Sequence, residues 1–211
     1  MNGSLTSLQL PLRLGGNLCL DFANTAAYRD TERHKNYFPS YAYLLAWCWH
    51  ENLINHEGVA RLQQIATAYP SAAEAALASA LRLREAIFGV FSAYIDGVTP
   101  SSEHSDCFQG ALGTALSHRR LALESGKAAW TWSGEADDLT GILWPVVLSA
   151  SELLTSEQMP RVKRCPNCGW LFLDTSRNGM RRWCSMEDCG SEAKSKRQYE
   201  RKRADKSHPG Y

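Results

Sequence analysis

Apolar residues recur at helical spacing through most of the chain and at strand spacing in only a few short stretches. After Pro39 and Ser40, the run from Tyr41 to His50 reads as an N-capped helix with Leu44, Leu45, Trp47 and Cys48 inward. A second helix is predicted from about Glu57 to Tyr69. It stops before Pro70, because a residue ahead of proline avoids the α region. Ser71 and Glu74 form an S-x-x-E capping box, and the longest helix follows, ending near Asp96-Gly97. Leu77, Leu81, Phe88, Phe91 and Ile95 mark its buried stripe. Pro100, Ser101 and Ser102 open another helix, which holds Phe108, Leu112, Ala115 and Leu116 on one face. A last helix of this part is expected over about Ala136 to Thr155, kinked at Pro145, which has no amide donor.

Two stretches change period. Leu8 to Phe22 alternates in places around Gly15-Gly16 and reads as short strands or extended chain. Leu18, Leu20 and Phe22 would then face one way, and Cys19 and Asp21 the other. Leu121 and Leu123 alternate with Arg120, Ala122 and Glu124. Ser125-Gly126 marks a turn, and Ala128, Trp130 and Trp132 alternate beyond it, which predicts a β-hairpin near 119–133. The fold class expected is mainly α with a small β component (α+β). A multihelical N-terminal domain over 1–158 would precede a small C-terminal module over 161–207, with the boundary at Ser156 to Arg161.

Composition narrows the class. With 44% apolar residues and seven Trp, eight Tyr and six Phe in 211 residues, the chain carries too much apolar surface to stay disordered. Its longest apolar stretches, such as Ile142 to Ala150, are about half the roughly 20 residues of a membrane span. Met1 to Leu10 has neither the charged start nor the apolar run of a secretory signal, so a cytoplasmic protein with no membrane partner is expected. The formal charge of +1 hides an asymmetry. Residues 161–211 carry 13 Lys+Arg and 6 Asp+Glu, a net of +7, and the remainder carries −6. A basic C-terminal fifth on a mildly acidic body suggests an anionic partner, although such runs also occur as plain solvated helix faces.

The cysteines divide the same way. Cys19, Cys48 and Cys107 are scattered among apolar residues and read as small buried hydrophobes. Cys165, Cys168, Cys184 and Cys189 fall in a C-x2-C-x15-C-x4-C pattern. Two disulfides or an iron–sulfur cluster would also use four cysteines. A chain without a signal, with three further cysteines, favours zinc. Cys165-Pro-Asn-Cys-Gly169 has the form of a zinc knuckle, whose glycine can take positive φ and leave amides aimed at the thiolates. Trp170 to Leu173 is read as a strand, Asn178-Gly179 as a turn, and Arg181 to Cys184 as the returning strand. Helical sequence follows Cys189. Knuckle, hairpin end and helix start together give a treble-clef-like site. Four sulfurs leave no position for a water, so one structural Zn2+ is expected, supplying on the order of 10 kcal/mol to folding of so small a unit.

Four thiolates and one Zn2+ leave the module at +5. Lys194, Arg197 and Arg201 share a helix face, with Lys196 and Lys202 beside them, and Arg177, Arg181 and Arg182 add charge on the hairpin. This pattern suits phosphate contacts, so DNA is the partner expected.

The stretch from Arg164 to Asn178, followed by Arg181-Arg-Trp-Cys-Ser-Met186 and Cys189-Gly190, resembles the CGNR zinc-finger family. Gly15 to Thr25 and Leu83-Arg84-Glu85-Ala86 resemble the ABATE domain that precedes that finger. The resemblance implies a bacterial, stress-induced transcriptional regulator with a DNA-binding finger and a regulatory or sensing N-terminal domain. One departure is plain: Ser191-Glu192 stands where the family has Asn-Arg, so an acidic side chain replaces a basic one at the helix start.

In the body, Asp21, Asn24 and Arg84 are polar residues set among apolar segments. They are expected either to form a buried structural ion pair between Asp21 and Arg84, or to line a small cavity for an unknown effector, with Asn24 beside Trp47 or Trp49. His34, His50, His56, His104, His118 and His208 show no ligand spacing. Neither a nucleophile elbow, a P-loop nor a Rossmann glycine pattern is present, so no enzyme is expected. The rival reading is a protein-interaction adaptor whose zinc module docks a partner or closes the body's core, favoured if Trp170 and Trp183 pack onto the helical part.

Overall fold

The computed structural model describes residues 8–124, 126–133 and 138–207. Helices α1 (Leu18–Ala23), α2 (Tyr41–His50), α3 (His56–Ala68), α4 (Pro70–Asp96), α5 (Ser102–His118) and α6 (Trp144–Leu154) form the body. Two-residue strands β1 (Ala26–Ala27) and β2 (Lys35–Asn36) pair antiparallel after α1. A hairpin of β3 (Arg119–Glu124) and β4 (Lys127–Trp132) leaves the body after α5. The C-terminal part consists of β5 (Val162–Arg164), β6 (Leu171–Leu173), a five-residue π-helical turn over Met186–Gly190, and α7 (Ser191–Ser207). The expected α+β class is the one observed. No helix among the described residues is long and apolar enough to cross a membrane.

Several local expectations are corrected. The segment read as strand up to Phe22 is α1. Asn17, in extended backbone, caps it by accepting from the Cys19 amide. Cys19, Leu20, Asp21, Phe22 and Ala23 are all buried, so no polar face remained to reveal the helical period. The capping box at Ser71 and Glu74 does not form. The long helix begins at Pro70, whose fixed φ and missing amide suit a first turn, and Ser71 lies inside it. Gly97 closes that helix in the left-handed region at φ 67°. Along α4 the buried apolar positions are Ala73, Ala76, Ala80, Leu83, Ala86, Ile87, Phe91 and Ala93, while Leu77, Leu81, Phe88 and Ile95 flank them, partly buried. Small alanines let neighbouring helices approach, and a stripe chosen by side-chain size misses them. On α5, Phe108 and Ala115 are buried, but Leu116 is exposed.

The helix expected from Ala136 begins instead at Trp144, after a 3-10 turn over Gly141–Leu143. Ala136 lies outside the described residues. Pro145 sits in the first turn of α6, where its missing amide costs nothing, so it introduces no kink. Arg181 to Cys184 is not a strand: β6 pairs with β5, upstream of the knuckle, in the register Val162 to Leu173. The hairpin therefore folds around the knuckle itself.

The body core centres on Phe22, Phe38 and Trp47, whose rings lie 5.3 to 6.1 Å apart. Leu171 and Leu173 of β6 join this core. Phe172, pointing the other way, joins a second cluster with Trp170, Ala27 and the four cysteines.

Candidate metal centre and nucleic-acid interface

The four sulfurs of the C-terminal cluster come from three local devices. Cys165 and Cys168 lie on the turn between β5 and β6. Gly169, at φ 77°, completes that turn and donates its amide to the Cys165 carbonyl at 2.9 Å. Backbone amides of Cys168 and Cys184 face the Cys165 sulfur, and that of Trp170 faces Cys168. Cys184 ends the irregular loop. Cys189 lies in the π-helical turn that leads into α7, a turn capped by Ser185.

All four sulfurs lie within 4.8 Å of one another and are buried; Cys168 to Cys184 is 3.5 Å and Cys184 to Cys189 is 3.6 Å. A tetrahedral Zn2+ with Zn–S near 2.3 Å sets sulfurs about 3.8 Å apart, so the cage fits the ion. Its acid–base chemistry fits as well. Hydrogen bonds from Cys168 and Cys184 pull the Cys165 thiol down, and the bond to Cys165 pushes Cys168 and Cys184 up. Sulfurs this close hold one another's protons, and a divalent cation relieves that conflict. Cys165, Cys168, Cys184 and Cys189 would hold one structural Zn2+, leaving no position for a reacting water. Among the described residues no other group of three or more His, Cys, Asp or Glu could hold a metal.

Residues 16–157 match the family described as "putative stress-induced transcription regulator", ABATE, and residues 161–202 match the CGNR zinc finger. The chain belongs to the ABATE family. Among curated proteins no match to the chain was found.

The finger is fastened to the ABATE body by Trp170, which the sequence singled out for packing there, and by groups it did not single out for that task. Asn24 donates from Nδ2 to the Leu171 carbonyl and accepts on Oδ1 from the Leu171 amide, both at 2.8 Å. One buried side chain thus completes β6 as a neighbouring strand would. Leu173 donates its amide to the Gly15 carbonyl, and Tyr28 donates its amide to that of Cys168, each at 2.8 Å. The buried Trp170 indole donates to Ala26 at 3.0 Å. Glu192 takes Arg33 of the body at 2.7 Å and Asn167 of the knuckle at 2.7 Å, tying the start of α7 to both.

The pair expected between Asp21 and Arg84 does not form. Asp21 Oδ1 accepts from the Gly15 amide at 2.8 Å, and burial pushes its carboxyl up to about 6. Arg84 turns elsewhere: its guanidinium pairs with Glu85 at 2.8 Å and donates to Asn36 Oδ1 at 2.7 Å, while Arg29 shares Glu85 at 2.7 Å. Asn24 is fully buried, with its side-chain amide spent on Leu171. Cys19 and Cys48 are buried, as small hydrophobes are, and burial pushes the Cys19 thiol up to about 12. Cys107 is half-buried, beside a cavity of about 280 Å3 between α4, α5 and α6.

Asp174 was also missed. It is buried and gathers Lys163 Nζ at 2.7 Å, the Ser176 hydroxyl at 2.6 Å and the Arg181 amide at 2.8 Å. Burial alone would raise its carboxyl, yet these donors hold it below the usual carboxylate range. The spacing Asp174-Thr-Ser176 is an Asx-turn signal that the sequence does carry.

The basic residues separate into two groups. Arg181 stacks over Phe172 and donates to the carbonyls of Trp183 and Cys184, so its charge is used inside the finger. Arg177, Arg182, Lys194, Lys196, Arg197, Arg201 and Lys202 are exposed. None of the five on α7 forms an ion pair among the described residues.

Proposed function

We propose that this chain is a non-enzymatic, cytoplasmic transcriptional regulator that binds DNA through α7 and the exposed arginines of the finger loop. One observation carries the reading: α7 is polar along its length, follows directly on the metal centre, and keeps Lys194, Lys196, Arg197, Arg201 and Lys202 exposed, with no ion pair among the described residues. A helix that buries no face and leaves its cations exposed has free energy of interaction still to gain from an external polyanion. Membership of the ABATE family, with a CGNR finger behind it, supports the same reading.

The test is duplex-DNA binding by the zinc-loaded chain over a salt series. With four to six phosphate contacts, log K falls with log salt at a slope of roughly −4 to −5. Lys194/Arg197/Arg201→Ala flattens that slope by about 2 to 3. Folded, zinc-loaded protein that ignores DNA at low salt overturns the reading. The adaptor would then stand in its place, supported by the finger's Trp170 and Leu171 closing against the body.

A further inference from the structure

Among the described residues, the ring and ion-pair contacts of the β3–β4 hairpin with the body gather at its open end, where Trp132 lies against Trp144 and Arg119 faces Glu152. Its register places Arg119, Leu121 and Leu123 on the same face as Ala128, Trp130 and Trp132. On that face Leu121 is 55% exposed, Leu123 77% and Trp130 61%. A two-stranded ribbon is marginal in water, and an open edge of this kind is a template for another strand. The His118 carbonyl accepts from the Ser133 amide at 2.7 Å, which fixes the alternation of the ladder. Backbone groups of even-numbered β3 residues turn toward β4, and those of Leu121 and Leu123 turn outward.

We propose that a second copy of this chain docks here, with β3 pairing antiparallel to β3 about a two-fold axis through Ala122. The stretch Arg120-Leu-Ala-Leu-Glu124 is self-complementary in that register. Leu121 of one copy meets Leu123 of the other as a hydrogen-bonded pair, using the outward groups. Position 120 of one copy lies opposite position 124 of the other, arginine against glutamate, and the symmetry provides each pairing twice. Two marginal ribbons become one four-stranded sheet. The free edge of β4 offers no such match: pairing about Trp130 sets Lys127 against Ser133.

The experiment is sedimentation equilibrium of the zinc-loaded full chain. Wild type is expected to dimerise. Arg120→Glu alone and Glu124→Arg alone each oppose like charges in the homodimer and weaken association about tenfold or more. Mixed in equal amounts, the two variants restore both attractive pairs and dimerise again, which a misfolded variant would not do. Leu123→Lys, at an exposed and outward position, gives a monomer. A wild type that is monomeric at roughly 100 µM overturns the proposal. So do single variants that associate like wild type, or a mixture that stays monomeric while wild type pairs.

Discussion

Residues 162–174 and residues 191–203 flank the same four sulfurs and meet opposite environments. In the first segment every residue of β6 is buried, and its polar groups are bonded to Gly15, Asn24 and Arg161. The second is exposed almost throughout; among the described residues its one ion pair to the body is at its first turn, from Arg33 to Glu192. The positive charges follow the same division. Lys163 and Arg181 hold a loop together, whereas those of α7 form no ion pair among the described residues. The net charge of this module therefore overstates its interface: a cation already surrounded by acceptors is structure, and only the unspent ones are available to a ligand.

The largest effect expected is on removing the metal. Chelation, or Cys184→Ser, removes a contribution on the order of 10 kcal/mol to the finger. It frees Trp170 from Ala26, which tryptophan fluorescence and limited proteolysis will read. If the chelated protein is indistinguishable from the loaded one, the two segments are not held by a shared centre. Next is the seam. Asn24→Leu leaves the amide and carbonyl of Leu171 buried and unpaired, a loss of about 2–4 kcal/mol in urea unfolding. A cost below about 0.5 kcal/mol would mean that the finger is not anchored there.

Two buried aspartates sharpen the comparison through pH. Asp21 in the body has its folded value raised to about 6, so the folded state binds a proton that the unfolded state has already released. Stability then falls as pH rises from about 4 to 6, and Asp21→Asn gains about 1–3 kcal/mol at neutral pH. Asp174 in the finger is lowered, so its contribution is present above the ordinary carboxylate range and is lost as pH falls. Asp174→Asn flattens that acid limb, measurable by thermal unfolding between pH 3 and 7. The smallest effect belongs to the exposed bridge: Arg33→Ala or Glu192→Ala leaves the urea midpoint nearly where wild type has it, because solvent screens the pair.

What the chain reveals of itself follows the range of each interaction. Helices α2, α3 and α5, strands β3 and β4 and the four-cysteine spacing rest on residues near in sequence, and their patterns were readable; Ser125 of the expected turn lies outside the described residues. The cage is readable because metal ligation constrains residue type as well as spacing. Asn24 and Leu171 lie 147 positions apart, and nothing local to either marks the pairing. Expecting Asp21 to meet Arg84 rested on charge sign alone. Glu85 and Asn36 were nearer to the guanidinium, and a backbone amide was enough for the carboxylate. The start of α4 was misplaced because a serine motif was preferred over the proline before it.

In β6, alternate side chains serve different owners: Leu171 and Leu173 face the helices, and Phe172 faces the thiol cage. Severing the chain near residue 160 would give two fragments, each with an oily scar where the other had been, so neither half can be transplanted whole. Zinc scarcity would consequently be felt beyond the finger, as a loosening of the helices that carry no ligand at all.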